Sequence, residues 1–150
     1  MKRSVKILLG IIILFIAIQF IPRDHNKSTV VPVDDITTVY QVPDDVEAIF
    51  KNSCYDCHSN NTDYPLYARI QPIRFMMDGH VKQGKEELNF NEFGTYSKRK
   101  QSHKLRAIAN SMTEGTMPLS SYLFIHNKTA LTPTEKTVII DWVKKTDTSD

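Results

Sequence analysis

The chain predicts an all-α fold, and three observations carry that reading. Apolar residues recur at helical spacing (i, i+3, i+4) in four separate segments, headed by Val46, Ile73, Leu105 and Val138. The first of these runs straight into Cys54-Tyr55-Asp56-Cys57-His58, with no strand before it. No βαβ pattern appears anywhere, so a dithiol carried behind a strand is not the context of these cysteines. The organisation expected is an N-terminal apolar helix over residues 1–22, a linker over 23–42 and one small helical domain over 43–150.

The N-terminus has the order of an export segment. Lys2, Arg3 and Lys6 precede an apolar run from Ile7 to Ile21, broken only by Gly10 and Gln19. Beyond Ile21 the chain reads Pro22-Arg23-Asp24-His25, which lacks the small residues of a cleavage site. An uncleaved transmembrane anchor is therefore the expectation. Its basic end would stay in the cytoplasm and the rest would lie in the periplasm, tethered to the inner membrane. Arg23 to Val42 is polar and bordered by prolines, without a lasting apolar period, and reads as extended linker. Thr29-Val30-Val31 and Thr37 to Tyr40 are its only candidates for short paired strands.

The domain begins at Pro43. Asp44 or Asp45 can cap a helix that buries Val46, Ile49 and Phe50. After a polar loop, Ser59 to Asp63, a helix is expected from Pro72 to about Glu87, with Ile73, Met76, Met77, His80 and Val81 in register. Leu88 to Tyr96 reads as a loop pinned by Phe90 and Phe93. The next helix, Lys98 to about Thr113, carries Leu105, Ile108, Ala109 and Met112 inward and ends at Gly115. In the last, Thr132 caps, Pro133 takes the first helical position and Glu135 completes a capping box. Val138, Ile139, Trp142 and Val143 form its buried stripe.

Charge narrows the function classes. There are 19 Lys+Arg against 17 Asp+Glu, so nothing argues for a nucleic-acid partner, and Lys98-Arg99-Lys100 reads as a solvated face. The chain has 2 cysteines, both inside the Cys54–His58 stretch, which leaves none for a structural disulfide. That stretch is C-x-x-C-H, the attachment sequence of a c-type haem. Thiols about one helical turn apart can close thioether bonds to the two vinyl groups, and the adjacent His58 imidazole can ligate the iron. A helix followed by C-x-x-C-H is the order of a small cytochrome, so the domain is expected to be cytochrome c-like, wrapped around one covalent haem c. Only one such motif is present, which excludes an internal two-haem relay. Zinc on Cys54, Cys57 and His58 would need a fourth ligand, and none is obvious.

A low-spin electron carrier needs a sixth ligand, and thioether sulfur favours the reduced iron. Met117 is the candidate: it lies in a loop between helices, follows Gly115 and precedes Pro118, which stiffens it. Met76, Met77 and Met112 sit on helix faces and read as core. His80 and His103 are the alternatives for a bis-histidine haem, while His25 and His126 have no partner pattern. Pro65 is a candidate carbonyl partner for the His58 ring.

These residues resemble a known family. Cys54 to Thr62 looks like the signature of the bacterial haem-binding domain family, small membrane-tethered proteins with a cytochrome c-like core. Tyr64-Pro65-x-Tyr67-Ala68, Leu88-Asn89-Phe90, Lys104-Leu105 and Glu114-Gly115-x-Met117-Pro118-Leu119 follow in the family's order. The resemblance spans roughly Val42 to Lys145. It departs at Arg74-Phe75-Met76, where aromatic residues are expected, and at Phe93, where tryptophan is. It implies a c-type haem and an extracytoplasmic location. The function expected is single-electron transfer between redox partner proteins by a monohaem cytochrome. The alternative is a haem-based sensor or gas-binding module with a displaceable distal ligand; a haem enzyme is the weaker third reading.

Overall fold

The computed structural model describes residues 2–22, 25–28 and 30–147. Its helices are α1 (Arg3–Gln19), α2 (Ile36–Val39), α3 (Asp44–Ser53), α4 (Tyr55–His58), α5 (Ile73–Glu87), α6 (Lys98–Glu114), α7 (Ser120–Leu123) and α8 (Pro133–Asp147). Short 3-10 turns cover Leu66–Arg69, Phe90–Thr95 and Asn127–Thr129. Among the described residues there is no strand.

Local chemistry sets the helix ends. Asp44, Asp45 and Glu47 crowd the first turn of α3 and Lys51 its last, each opposing the helix dipole. Pro43, not an aspartate, takes the cap position there. Ser97 Oγ accepts from the Lys100 N–H at the start of α6, and Gly115 closes that helix at φ 67°, a left-handed turn that glycine takes without strain. At α8 the capping box forms: Thr132 N–H donates to Glu135 Oε2 at 2.8 Å and Glu135 N–H to Thr132 Oγ1 at 3.2 Å.

The core lies where α6, α8 and α3 meet. Phe50 stacks on Phe90 with centroids 4.9 Å apart, and Trp142 meets Phe50 edge-on at 5.6 Å. Leu105, Ile108, Met112, Ile139 and Val143 fill the space around them. Phe93, standing where tryptophan was expected, is fully buried.

Three expectations change. The stretch read as extended linker is packed: Asp35 caps α2 through the Thr37 N–H, and Ile36 is buried in the core. Asn26 donates to Ser59 O and Thr62 Oγ1, both at 2.8 Å. Thr37 to Val39 is helical rather than strand, and Thr29 lies outside the described residues. A polar segment reads as linker because its bonds run to residues far along the chain, which no local pattern reveals.

The expected transmembrane anchor is also unsupported: among the described residues no helix is long and apolar enough to cross a membrane. α1 has 17 residues, about 26 Å of rise at ~1.5 Å per residue, short of the ~30 Å hydrocarbon layer. Lastly, of the methionines read as core, Met112 is buried but Met76 is more than half exposed. The side of α5 that carries Met76 faces a hollow shared with Tyr67, Tyr122 and Ile125, which leaves it open.

Candidate functional site

The C-x-x-C-H residues occupy one tight turn. Cys54 ends α3, with its N–H donating to Phe50 O at 2.9 Å, and the chain turns at once into α4. His58 N–H donates to Cys54 O at 3.0 Å, closing a single helical turn. Cys54 and Cys57 are thereby held one turn apart. Both thiols line an apolar hollow of about 170 Å³ with His58, His80, Gly84, Met117 and Tyr122. A second hollow, about 270 Å³, adjoins it and shares Cys54, His58, Glu87, Met117 and Pro118; Phe90, Lys104 and Met112 line its far side.

The histidine is oriented from behind. His58 Nδ1 lies 2.9 Å from Gly84 O and 3.0 Å from Leu88 O. Carbonyls only accept, so Nδ1 carries the proton and Nε2 keeps its lone pair. Burial lowers the His58 pKa, outweighing these hydrogen bonds, so the ring is neutral at neutral pH. The partner expected from Pro65 is not the one found. The end of α5 supplies the carbonyls instead, because α5 packs directly on α4.

That packing depends on Gly84. A Cβ there would stand 2.6 Å from Cys57 O and 3.1 Å from Cys57 Cβ. Only glycine lets the backbones of α5 and the cysteine turn approach so closely.

Burial pushes the Cys54 thiol up to about 12 and the Cys57 thiol up to about 11. A redox-active or nucleophilic cysteine needs the opposite shift. Among the described residues no group of three or more His, Cys, Asp or Glu could hold a metal ion, so the zinc reading finds no fourth ligand.

The polar loop after the turn is a satisfied network. Thr62 Oγ1 donates to Asp56 O at 2.7 Å, and Asn60 N–H donates to Asn91 Oδ1 at 2.6 Å. Asn91 Nδ2 in turn donates to buried Asp35 at 2.6 Å. Asp56, inside the motif, also reaches the opposite wall. Tyr122 Oη donates to its carboxylate at 2.7 Å, while the Asp63 N–H takes the other oxygen at 2.9 Å. Burial first, then this bond, raises the Tyr122 pKa, so the phenol stays protonated and donating.

Met117 is half-buried and lines both hollows, facing the same space as His58. His80 also lines the smaller hollow, whereas His103 is exposed on α6 and lines neither. Lys104 brings an ammonium to the larger hollow, 3.9 Å from Glu87, with most of its side chain covered. Gly84, Asp56 and Tyr122 were not singled out from sequence. Gly84 alone left a signal, a glycine inside a helical pattern, which usually has a packing reason.

This donor set fits an iron porphyrin: two thiols one helical turn apart, a neutral imidazole with a free Nε2, and a thioether lining the same apolar hollow. The comparisons point the same way. A family model described as haem-binding domain matches residues 13–145. The match starts within α1, so the packed segment before α3 belongs to the family's pattern. No match was found among curated proteins or solved structures.

Proposed function

The chain belongs to the haem-binding domain family, and from that premise we propose that it is a monohaem c-type cytochrome that passes single electrons between partner proteins. The observation that carries this reading is the joint lining of one apolar crevice by Cys54, Cys57, His58 and Met117. Cys54 and Cys57 are the thioether residues. His58 would hold the iron through Nε2, kept in that tautomer by Gly84 O and Leu88 O. Met117 would be the second protein ligand, and Lys104 would be the cation available to a propionate. Haem supplies a reversible one-electron couple; the apolar walls keep water from it. The near-saturated hydrogen bonding of the cysteine turn limits rearrangement between the two oxidation states. We place the domain in the periplasm, held to the inner membrane by α1, since c-type attachment requires export.

The test is a spectroscopic redox titration of the holoprotein and of Met117→Ala, with intact mass measured on both. The expected holoprotein carries one covalent haem, a low-spin spectrum and no rapid carbon monoxide binding. Met117→Ala should keep the adduct, lower the potential, and bind carbon monoxide readily. A spectrum unchanged by the substitution would remove Met117 from the iron. Rapid carbon monoxide binding to the reduced wild type would favour the gas-sensing alternative.

A further inference from the structure

We propose that the apolar end of the domain where α5 begins is seated in the lipid interface beside α1, completing a hydrophobic band that α1 alone is too short to form. This rests on the reading that α1 enters the membrane, and it goes beyond that reading by fixing how the domain stands.

The joint between helix and domain is specific. Gln71 N–H donates to Gln19 Oε1 at 3.0 Å, and Arg74 Nη2 donates to Ile21 O at 2.8 Å. Gln71 and the Arg74 guanidinium are both buried. The exit of α1 is therefore bonded to the first turn of α5, and the domain does not hang on a free tether.

Apolar side chains surround that joint in the open. Phe20 is 81% exposed, Phe75 77%, Met76 54% and Ile70 50%. Such a patch on one end of a small domain marks a contact surface. Its arrangement decides what covers it. Ile73 and Met76, three residues apart, share one side of α5 and line a hollow with Tyr122 and Ile125, while Phe75 points at least about 100° away from both. Exposed apolar residues on more than one side of the start of α5, with Ile70 and Phe20 beside them at the exit of α1, suit an end dipped into an apolar layer.

Length supports the same occupant. With Arg3 and Lys6 inside it, the apolar part of α1 falls more than about 4 Å short of the hydrocarbon thickness, a mismatch that flanking apolar groups can relieve by sinking in. Exposed Arg69 stands beside Ile70, placed for lipid headgroups. Further along α5 the exposed residues turn polar, with Lys82, Gln83 and Glu86. Gly84 at the crevice lies about 16 Å up the helix from Ile73 at ~1.5 Å per residue, which holds the crevice in water at a set height.

The experiment uses the full-length holoprotein in phosphatidylethanolamine–phosphatidylglycerol vesicles, irradiated with a carbene precursor dissolved in the bilayer. Adducts are mapped to residues by mass spectrometry. Val33, 82% exposed and apolar, lies ahead of α2 and serves as the aqueous control. The proposal expects labelling of α1 and, several-fold above Val33, of Ile70 to Met76, with Phe75 the strongest. Labelling of α1 with Ile70 to Met76 no higher than Val33 overturns the seating and leaves the anchor standing. Absence of label from α1 as well overturns the membrane reading and the seating with it.

Discussion

The two walls of the crevice are built differently. The wall carrying Cys54, Cys57 and His58 is a single helical turn bonded on several sides: to α3 through Phe50 O, to α5 through His58, to Tyr122 through Asp56, and to residues 26 and 91 through the loop that follows. The wall carrying Met117 is a loop between α6 and α7. It is set at one end by the Gly115 turn and at the other by Tyr122 reaching Asp56. On the proposed reading, the difference teaches which ligand would be held by a rigid platform and which by a loop. A covalent cofactor with an imidazole beneath it needs a precise, satisfied platform. A thioether ligand needs only a loop that returns it to the same place.

Three substitutions sharpen that contrast. Gly84→Ala has the largest expected effect. Alanine gains about 1 kcal/mol of helix propensity over glycine, but forcing a methyl against the Cys57 backbone costs up to about 3 kcal/mol. A net loss of about 2 kcal/mol should appear as a lower urea midpoint of the holoprotein, with a reduced covalent haem yield as α5 is pushed off His58. If Gly84→Ala unfolded at the wild-type midpoint, the close approach of the two backbones would not be what supports the platform.

Tyr122→Phe comes next. It removes one hydrogen bond to a carboxylate that keeps a second donor in the Asp63 N–H, so about 1 kcal/mol is expected. The absorbance assigned to Met117 ligation should weaken more than the stability does, because the bond ties the Met117 loop to the cysteine turn. A larger loss of stability than for Gly84→Ala would reverse the ranking of the two walls.

The smallest effect is the reference for both. Hydrogen bonds from Thr132 hold the Glu135 carboxyl below its usual value. Its contribution is therefore present above the ordinary glutamate pKa of about 4.3 and is lost as pH falls through the depressed folded value. In Glu135→Gln the shallow decline of the melting temperature below about pH 4.5 should flatten, with the haem spectrum untouched. A spectrum that followed Glu135 would mean that α8 and the crevice are coupled.

Much of this molecule is legible in its residues, and the boundary is physical. Helix starts and stops at Thr132, Pro133 and Gly115 follow from interactions within about one turn. So does the placement of Cys54, Cys57 and His58 on one turn, and the buried stripes of α3, α6 and α8. The segment from His25 to Val42 was not legible, because Asn26 and Ile36 find their partners far along the chain. Nor was Met76, whose period fits a core face although nothing in the fold covers it.

What the sequence determined by itself was therefore the longer helices α1, α3, α5, α6 and α8, the chemistry of the donor atoms and their spacing within the cysteine turn. All of these rest on forces that act between residues a few positions apart. Only the tertiary structure decided which carbonyls hold the His58 ring, 26 and 30 residues away, and which tyrosine meets Asp56, 66 residues away. Those pairings depend on how closely α5 and α7 can approach the turn, and close approach is a property of packed backbones in three dimensions.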